Sequence, residues 1–236
     1  MDKPAPSRYL VDENLIEAEH EKMISSDVHA MEIIKFINLS LDFIDKSIIY
    51  DNNSSKNHVD LLRLSVRIFN SSAATLRLIR CGYWQASFTL IRDVIETSSL
   101  LLLLSEDSES LNEWVSLEEK ERKQKYGAVK VRMRLEQLGN KSAKRIRDAY
   151  NALSLYAAHP TPEGFHVNTI NGITQRGPFV DQIKLNASIE EIAIRLLDAV
   201  YIVDTLIESN DHEYMEYRKK YIKYAKKWED RYPSNG

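Results

Sequence analysis

The chain has 236 residues, of which 28% are charged and 43% hydrophobic, enough to bury one sizeable core. Only 7 glycines and 6 prolines punctuate it, which excludes a fold of many short strands and favours long helices with few connections. A net charge of −3 argues against bulk nonspecific DNA binding, and the single cysteine, Cys81, cannot close an internal disulfide, so a reducing cytoplasm is the expected setting.

Residues 1–12 read as a loose polar tail with no secretory signal, followed by one helical domain over 13–232. A weak helix is expected over 13–25, with Leu15, Ile16 and Met23 on one side. Ser26 or Asp27 can then cap a strong helix, in which Ala30, Ile33, Ile34, Ile37, Leu41, Ile44 and Ile48 recur at helical spacing. Residues 51–57, DNNSSKN, form a polar linker by composition. The next helix spans about 59–80, and its small residues Ser71, Ser72, Ala73 and Ala74 allow a neighbour to approach closely. Gly82 can adopt the left-handed conformation that ends a helix, and the short gap to Trp84 implies an antiparallel pair.

The second member of that pair, WQASFTLIRDVIETSSLLLLL over 84–104, is the most apolar stretch of the chain. Its charges Arg92, Asp93 and Glu96 leave too short an uncharged run to span a bilayer, so no membrane association is expected. Gln85, Thr89, Arg92, Glu96 and Ser99 fall on one polar seam of a helix that is otherwise apolar nearly all round. Such a helix is normally buried, which predicts a seam inside the protein, where charges must be paired. Arg92 and Glu96 are then either an internal clamp or the floor of a site.

After an acidic turn at 105–110, a helix starts around Leu111 and becomes charged from Glu118. Residues 120–147 hold eleven Lys and Arg against Glu121 and Glu136. This is either a solvated helical face or a surface for phosphate, in which Lys130, Arg132, Arg134, Lys144 and Arg145 would bind nucleic acid. A helix over 142–158 stops before Pro160. Residues 165–179 read as a β-hairpin around Asn171-Gly172. Ser188-x-x-Glu191 reads as a capping box opening a strong helix, and Asn210 with Glu213 as the start of the last one. That last helix sets Tyr214, Tyr217, Tyr221, Tyr224 and Trp228 along one side among six lysines and arginines, either a core face with lysines to water or a platform for single-stranded RNA.

A second polar constellation follows the 142–158 helix. Tyr150 and Ser154 share a helical face, and His159, Thr161, Glu163 and His166 sit on the proline-stiffened loop beyond it. His159 is either a general acid or base or a cap on the helix terminus. The expected site gathers Arg92, Glu96 and His159 as its reactive groups, with Tyr150, Ser154, Thr161, Glu163 and His166 around them. No HExxH, CxxC, Walker A, GxGxxG or GxSxG pattern occurs, so neither metal nor cofactor is expected.

The arrangement of Gly82-Tyr-Trp-Gln-Ala86, a central helix with Arg92-x-x-x-Glu96, then Leu153-Ser154-x-Tyr156, His159-Pro160 and a hairpin ending Gly177-Pro178 resembles a family of bacterial and phage-associated helical proteins. That family is similar to the HEPN superfamily and to abortive-infection proteins of the AbiV kind. The resemblance covers roughly 61–207 and implies a homodimer, a defence-associated interaction module, or a metal-independent ribonuclease or toxin-like enzyme acting on RNA. HEPN ribonucleases carry an arginine followed four to six residues later by histidine, and no arginine here precedes a histidine at that spacing. The expected fold is all-α, an up-and-down bundle of seven or eight helices with a small β-hairpin insert.

Overall fold

The structure, a computed structural model, describes residues 8–140 and 143–231 and is all-α with one two-stranded hairpin. Its helices in chain order are α1 (Arg8–Ser26), α2 (Val28–Tyr50), α3 (Lys56–Arg80), α4 (Trp84–Glu106) and α5 (Ser108–Ser116). There follow α6 (Glu119–Tyr126), α7 (Ala128–Gln137), α8 (Ala143–Leu153), α9 (Gln182–Leu206) and α10 (His212–Arg231). These ten exceed the seven or eight expected because the charged stretch is cut twice. Leu117 and Glu118 are extended, and so is Gly127, where an added Cβ would lie 2.6 Å from the Lys123 carbonyl oxygen. Among the described residues no helix is long and apolar enough to cross a membrane.

The core is built on α3 and α4, with α9 packed against both and against α2. Ile68 and Ile79 of α3, Ile91 and Val94 of α4, Ile189, Ile192 and Leu196 of α9, and Phe36, Ile37 and Phe43 of α2 are all completely buried. Each such side chain contributes about 1.5–3 kcal/mol relative to exposure, so the apolar periodicity of these four helices dominates the fold. The turn between α3 and α4 is closed by Gly82 N–H on the Ile79 carbonyl (3.0 Å) and Tyr83 N–H on the Leu78 carbonyl (2.9 Å). Gly82 has φ +77°, and a Cβ there would meet the Phe179 carbonyl oxygen at 2.5 Å. Trp84 Nε1 donates to that same oxygen at 3.2 Å, so the segment before α9 is seated on the start of α4.

The helix starts are set by aspartates. Asp27 accepts from the backbone of His29 and Ala30, Asp107 from Glu109 and Ser110, Asp181 from Lys184, and Asp211 from Tyr214. The capping box expected at Ser188 is therefore corrected. Asp181 caps α9 (Gln182–Leu206) seven residues before Ser188, which is fully buried within the helix. Glu191 instead pairs with Arg195 at 3.0 Å.

The first helix begins at Arg8, inside the stretch read as a tail, and residues 1–7 lie outside the described residues. The hairpin is shorter than expected: Thr169–Ile170 pairs with Ile173–Thr174 across Asn171 (φ 49°) and Gly172 (φ 77°). A 3₁₀ turn, Glu163–Asn168, takes up the residues before it. Of the small residues at 71–74, Ser72 is buried within the chain and the Ser71 hydroxyl donates to Asp93 at 2.7 Å.

Candidate functional site

The polar seam of α4 runs from surface to core. Gln85 and Thr89 are exposed, Arg92 and Glu96 half-buried, and Ser99 buried. Its charges divide between two neighbours. Asp93 turns to α3, where Arg67 Nη2 reaches one oxygen at 2.5 Å and Ser71 the other. Arg92 turns to α8: its Nη2 lies 2.8 Å from Glu96 Oε1 and donates to the Tyr150 hydroxyl at 2.5 Å.

Tyr150 is the centre of this cluster. Its ring carries two guanidinium groups, Arg92 with its central carbon 4.7 Å from the ring centroid and Arg132 at 3.7 Å. Arg132, from α7, is buried and makes no ion pair among the described residues; the ring face is its partner. Two like charges on one ring repel, and Glu96, paired with Arg92, offsets the first of them. Sequence reasoning placed Arg132 on a phosphate surface. Its true position had no local signal, since it depends on how α7 folds back on α8.

α8 and its continuation run antiparallel to α4. Tyr150 sits opposite Arg92, while Gln85 Nε2 donates to the Ala157 carbonyl at 3.3 Å. Seven residues of helix separate those two contacts on each side, a rise of about 10 Å. Ser154 opens a π-helical turn, Ser154–Ala158, that ends with His159 N–H on the Ser154 carbonyl at 3.2 Å. Its own hydroxyl is buried without a hydrogen-bond partner. His159 is extended at φ −113°, as a residue before proline should be, and exposed at the Gln85 end of α4. The structure thus joins Arg92, Glu96 and Tyr150, sets Ser154 about one turn further along, and puts His159 beyond the opposite end of that contact.

The remaining loop residues have separate surroundings. The Thr161 hydroxyl donates to the Leu155 carbonyl at 2.5 Å and accepts from Gly164 N–H at 3.0 Å, so it ties the π turn to the 3₁₀ turn. Glu163 and His166 are exposed on the 3₁₀ turn and form no side-chain hydrogen bond or ion pair among the described residues. Asn168 Nδ2 donates to Gln85 Oε1 at 2.9 Å and anchors the hairpin on α4.

The basic stretch is largely neutralised by its own fold. Arg134 reaches the Ser110 hydroxyl at 2.6 Å and Asp107 at 3.6 Å, and Arg147 pairs with Glu136 at 2.6 Å. Arg145 joins Asp198, which also faces the buried Arg195 at 3.4 Å. Lys130 and Lys144 remain exposed and without an ion pair among the described residues. The tyrosines and Trp228 of α10 pack on α2, with Trp228 stacked on Phe36 at 4.4 Å and Tyr221 on Phe43 at 4.5 Å. Among the described residues no three His, Cys, Asp or Glu side chains are gathered around a point a metal ion could occupy. No protein-family model, curated protein or solved structure matches the chain.

Proposed function

We propose that this protein is a non-catalytic helical interaction module whose polar α4 seam holds the fold while its outer surface meets a partner. One observation carries the reading. The Arg92 guanidinium is engaged by Glu96 and Tyr150, while His159 projects to solvent about 10 Å along the helix pair. A general acid–base group must come within hydrogen-bond reach of the atom it serves, and with Arg92 already held by Glu96 and Tyr150 and His159 at the other end of the helix contact, the arrangement favours a structural role for the seam. The HEPN-like affinity, a role in defence, a homodimer and a cytoplasmic setting belong to the same proposal. They rest on the sequence resemblance and the single cysteine.

The test is incubation of the purified protein with total RNA beside an Arg92→Ala/His159→Ala variant. A module leaves the RNA intact in both samples. Cleavage by the wild type that disappears in the variant overturns the reading in favour of an RNA-directed enzyme. Light scattering tests the dimer, which should weigh twice the 27.3 kDa chain.

A further inference from the structure

The second cation-rich stretch of the chain, 218–227, behaves unlike the first. It holds Arg218, Lys219, Lys220, Lys223, Lys226 and Lys227 with no acidic residue between them. Arg218 is held by Asp204 and Lys219 touches Glu216 at 2.8 Å. Lys220, Lys223, Lys226 and Lys227 are exposed and make no ion pair among the described residues. Two of these free charges, Lys223 and Lys226, border a furrow on the surface.

The reason is how α10 is mounted. Its rings interlock with Phe36, Phe43 and Tyr50 of α2, and the hydroxyls of Tyr214 and Tyr221 meet Ser47 (3.0 Å) and Ser40 (2.8 Å). That fixes α10 on α2 and leaves a furrow between α10 and α9. The two helices are bridged across it by Arg218 on Asp204 and by the Tyr201 hydroxyl on Glu229 at 3.3 Å. The furrow, open to solvent along its length, holds about 620 Å³. Tyr201, Met215 and Ile222, all half-buried, form its floor, and Lys219, Lys223 and Lys226 its lip.

We infer that this α9/α10 furrow receives an acidic amphipathic helix from a partner protein, an inference that rests on the interaction-module reading and names its surface. An apolar floor takes a helix's apolar stripe, and a lysine lip takes carboxylates flanking that stripe. From Met215 to Lys226 α10 rises about 16 Å, the length of three turns of a bound helix, with the Arg218–Asp204 pair part of the surface that helix would lie on. The chemistry favours a peptide over RNA. Single-stranded RNA needs exposed ring faces to stack on, and the α10 rings are turned onto α2.

The experiment is fluorescence anisotropy with a labelled designed helical peptide of about four turns, leucines on one face and glutamates on both flanks. The comparison probes are the same peptide with lysine for glutamate, and an oligouridine RNA. The wild type should bind the glutamate peptide, more weakly as salt rises, and not the lysine peptide. Lys223→Glu/Lys226→Glu should weaken that binding by about tenfold or more, while Lys120→Glu/Lys130→Glu, the same charge change elsewhere, should not. If the reversal disturbs folding by circular dichroism, Lys223→Gln/Lys226→Gln reads the same loss. No binding up to about 100 μM, equal loss in the groove and control variants, or tighter binding of the RNA through the same lysines overturns the inference. Cleavage of RNA by the wild type would instead overturn the module reading and leave this binding result standing.

Discussion

The guanidinium carbon of Arg132 lies over Tyr150, 3.7 Å from the ring centroid, while the hydroxyl of the same ring accepts from Arg92 at 2.5 Å. One tyrosine thereby holds α4, α7 and α8 together. Its two functions can be separated. Tyr150→Phe keeps the ring for Arg132 and removes the acceptor for Arg92, which should cost about 1–2 kcal/mol. Tyr150→Ala removes both and leaves a cavity, for about 3–5 kcal/mol. Urea denaturation measures the difference; equal losses for the two variants would show that the ring contacts carry no weight.

The Arg92–Glu96 pair sets up a related expectation. The side chains are 22% and 35% exposed, so a lone charge left by a single substitution is partly solvated. The penalty should then fall to about 1–2 kcal/mol, below the 3–5 of a fully buried pair. Arg92→Met with Glu96→Leu should be more stable than Arg92→Met alone, because no unpaired carboxylate remains beside the Arg67–Asp93 pair. A double-mutant cycle by urea denaturation reads this directly.

Gly82→Ala should be among the most damaging small substitutions in the chain. It places a Cβ at φ +77° and 2.5 Å from the Phe179 carbonyl oxygen that also receives the Trp84 indole. Strain of this kind costs about 1–3 kcal/mol, and displacing Phe179 adds the loss of the indole hydrogen bond. The expected readout is a lowered thermal midpoint. Gly172→Ala makes the control, since it shares the positive φ but its Cβ would meet nothing within 4 Å.

Stability should also depend on pH through His20. This side chain is fully buried, with Nδ1 on the Arg80 carbonyl at 2.8 Å, Nε2 unpartnered, and its ring edge-on to Trp84 at 5.2 Å. Burial holds its pKa below the ordinary 6.5, against the opposing pull of the Arg80 carbonyl, Asp181 and Glu21. The unfolded chain therefore takes up the proton first. His20 contributes its full stability above pH 6.5 and loses it as pH falls through 6.5 toward the lower folded value. Denaturation midpoints followed from about pH 8 to pH 5 should drop in the wild type and drop less in His20→Phe.

How much of this was written in the sequence depends on the range of the interaction. The α3–α4 pair follows from apolar periodicity and from Gly82, both local, and its antiparallel arrangement appears as read. The Arg92–Glu96–Tyr150 contact was reachable because a polar seam on an apolar helix must find partners and Tyr150 heads the best supply of them. Arg132 on the same ring was not reachable, since a basic residue in a basic stretch looks like any other until α7 is placed. The Ser188 capping box failed for a different reason. Its spacing is right, but Asp181 had already capped the helix, and a serine on the core face of α9 fits the close packing there. In α10, amphipathicity decided the case: the rings went to the core and the lysines to solvent.

The stretch 51–55 shows what a polar composition can conceal. Asp51, at the end of α2, has a side chain only 1% exposed. One of its oxygens accepts from Glu208 N–H at 3.0 Å, in the connection between α9 and α10. The other accepts from Asn53 N–H at 3.1 Å and lies 2.9 Å from Nε2 of His58, at the start of α3. The Asn52 N–H on the Glu208 carbonyl, 3.0 Å, closes the seam between the two connections. Asp51 thus joins four helix ends that meet at one pole of the bundle. Asp51→Ala leaves two backbone donors without an acceptor and removes the carboxylate beside a buried imidazole, and should cost about 3–5 kcal/mol. Asp51→Asn keeps one acceptor oxygen and should lose about half as much. His58→Phe in the Asp51→Ala background should add little, because its partner is already gone. Urea unfolding of the three variants decides it: an Asp51→Ala loss within about 0.5 kcal/mol of an ordinary surface substitution would mean that 51–55 is only a linker after all.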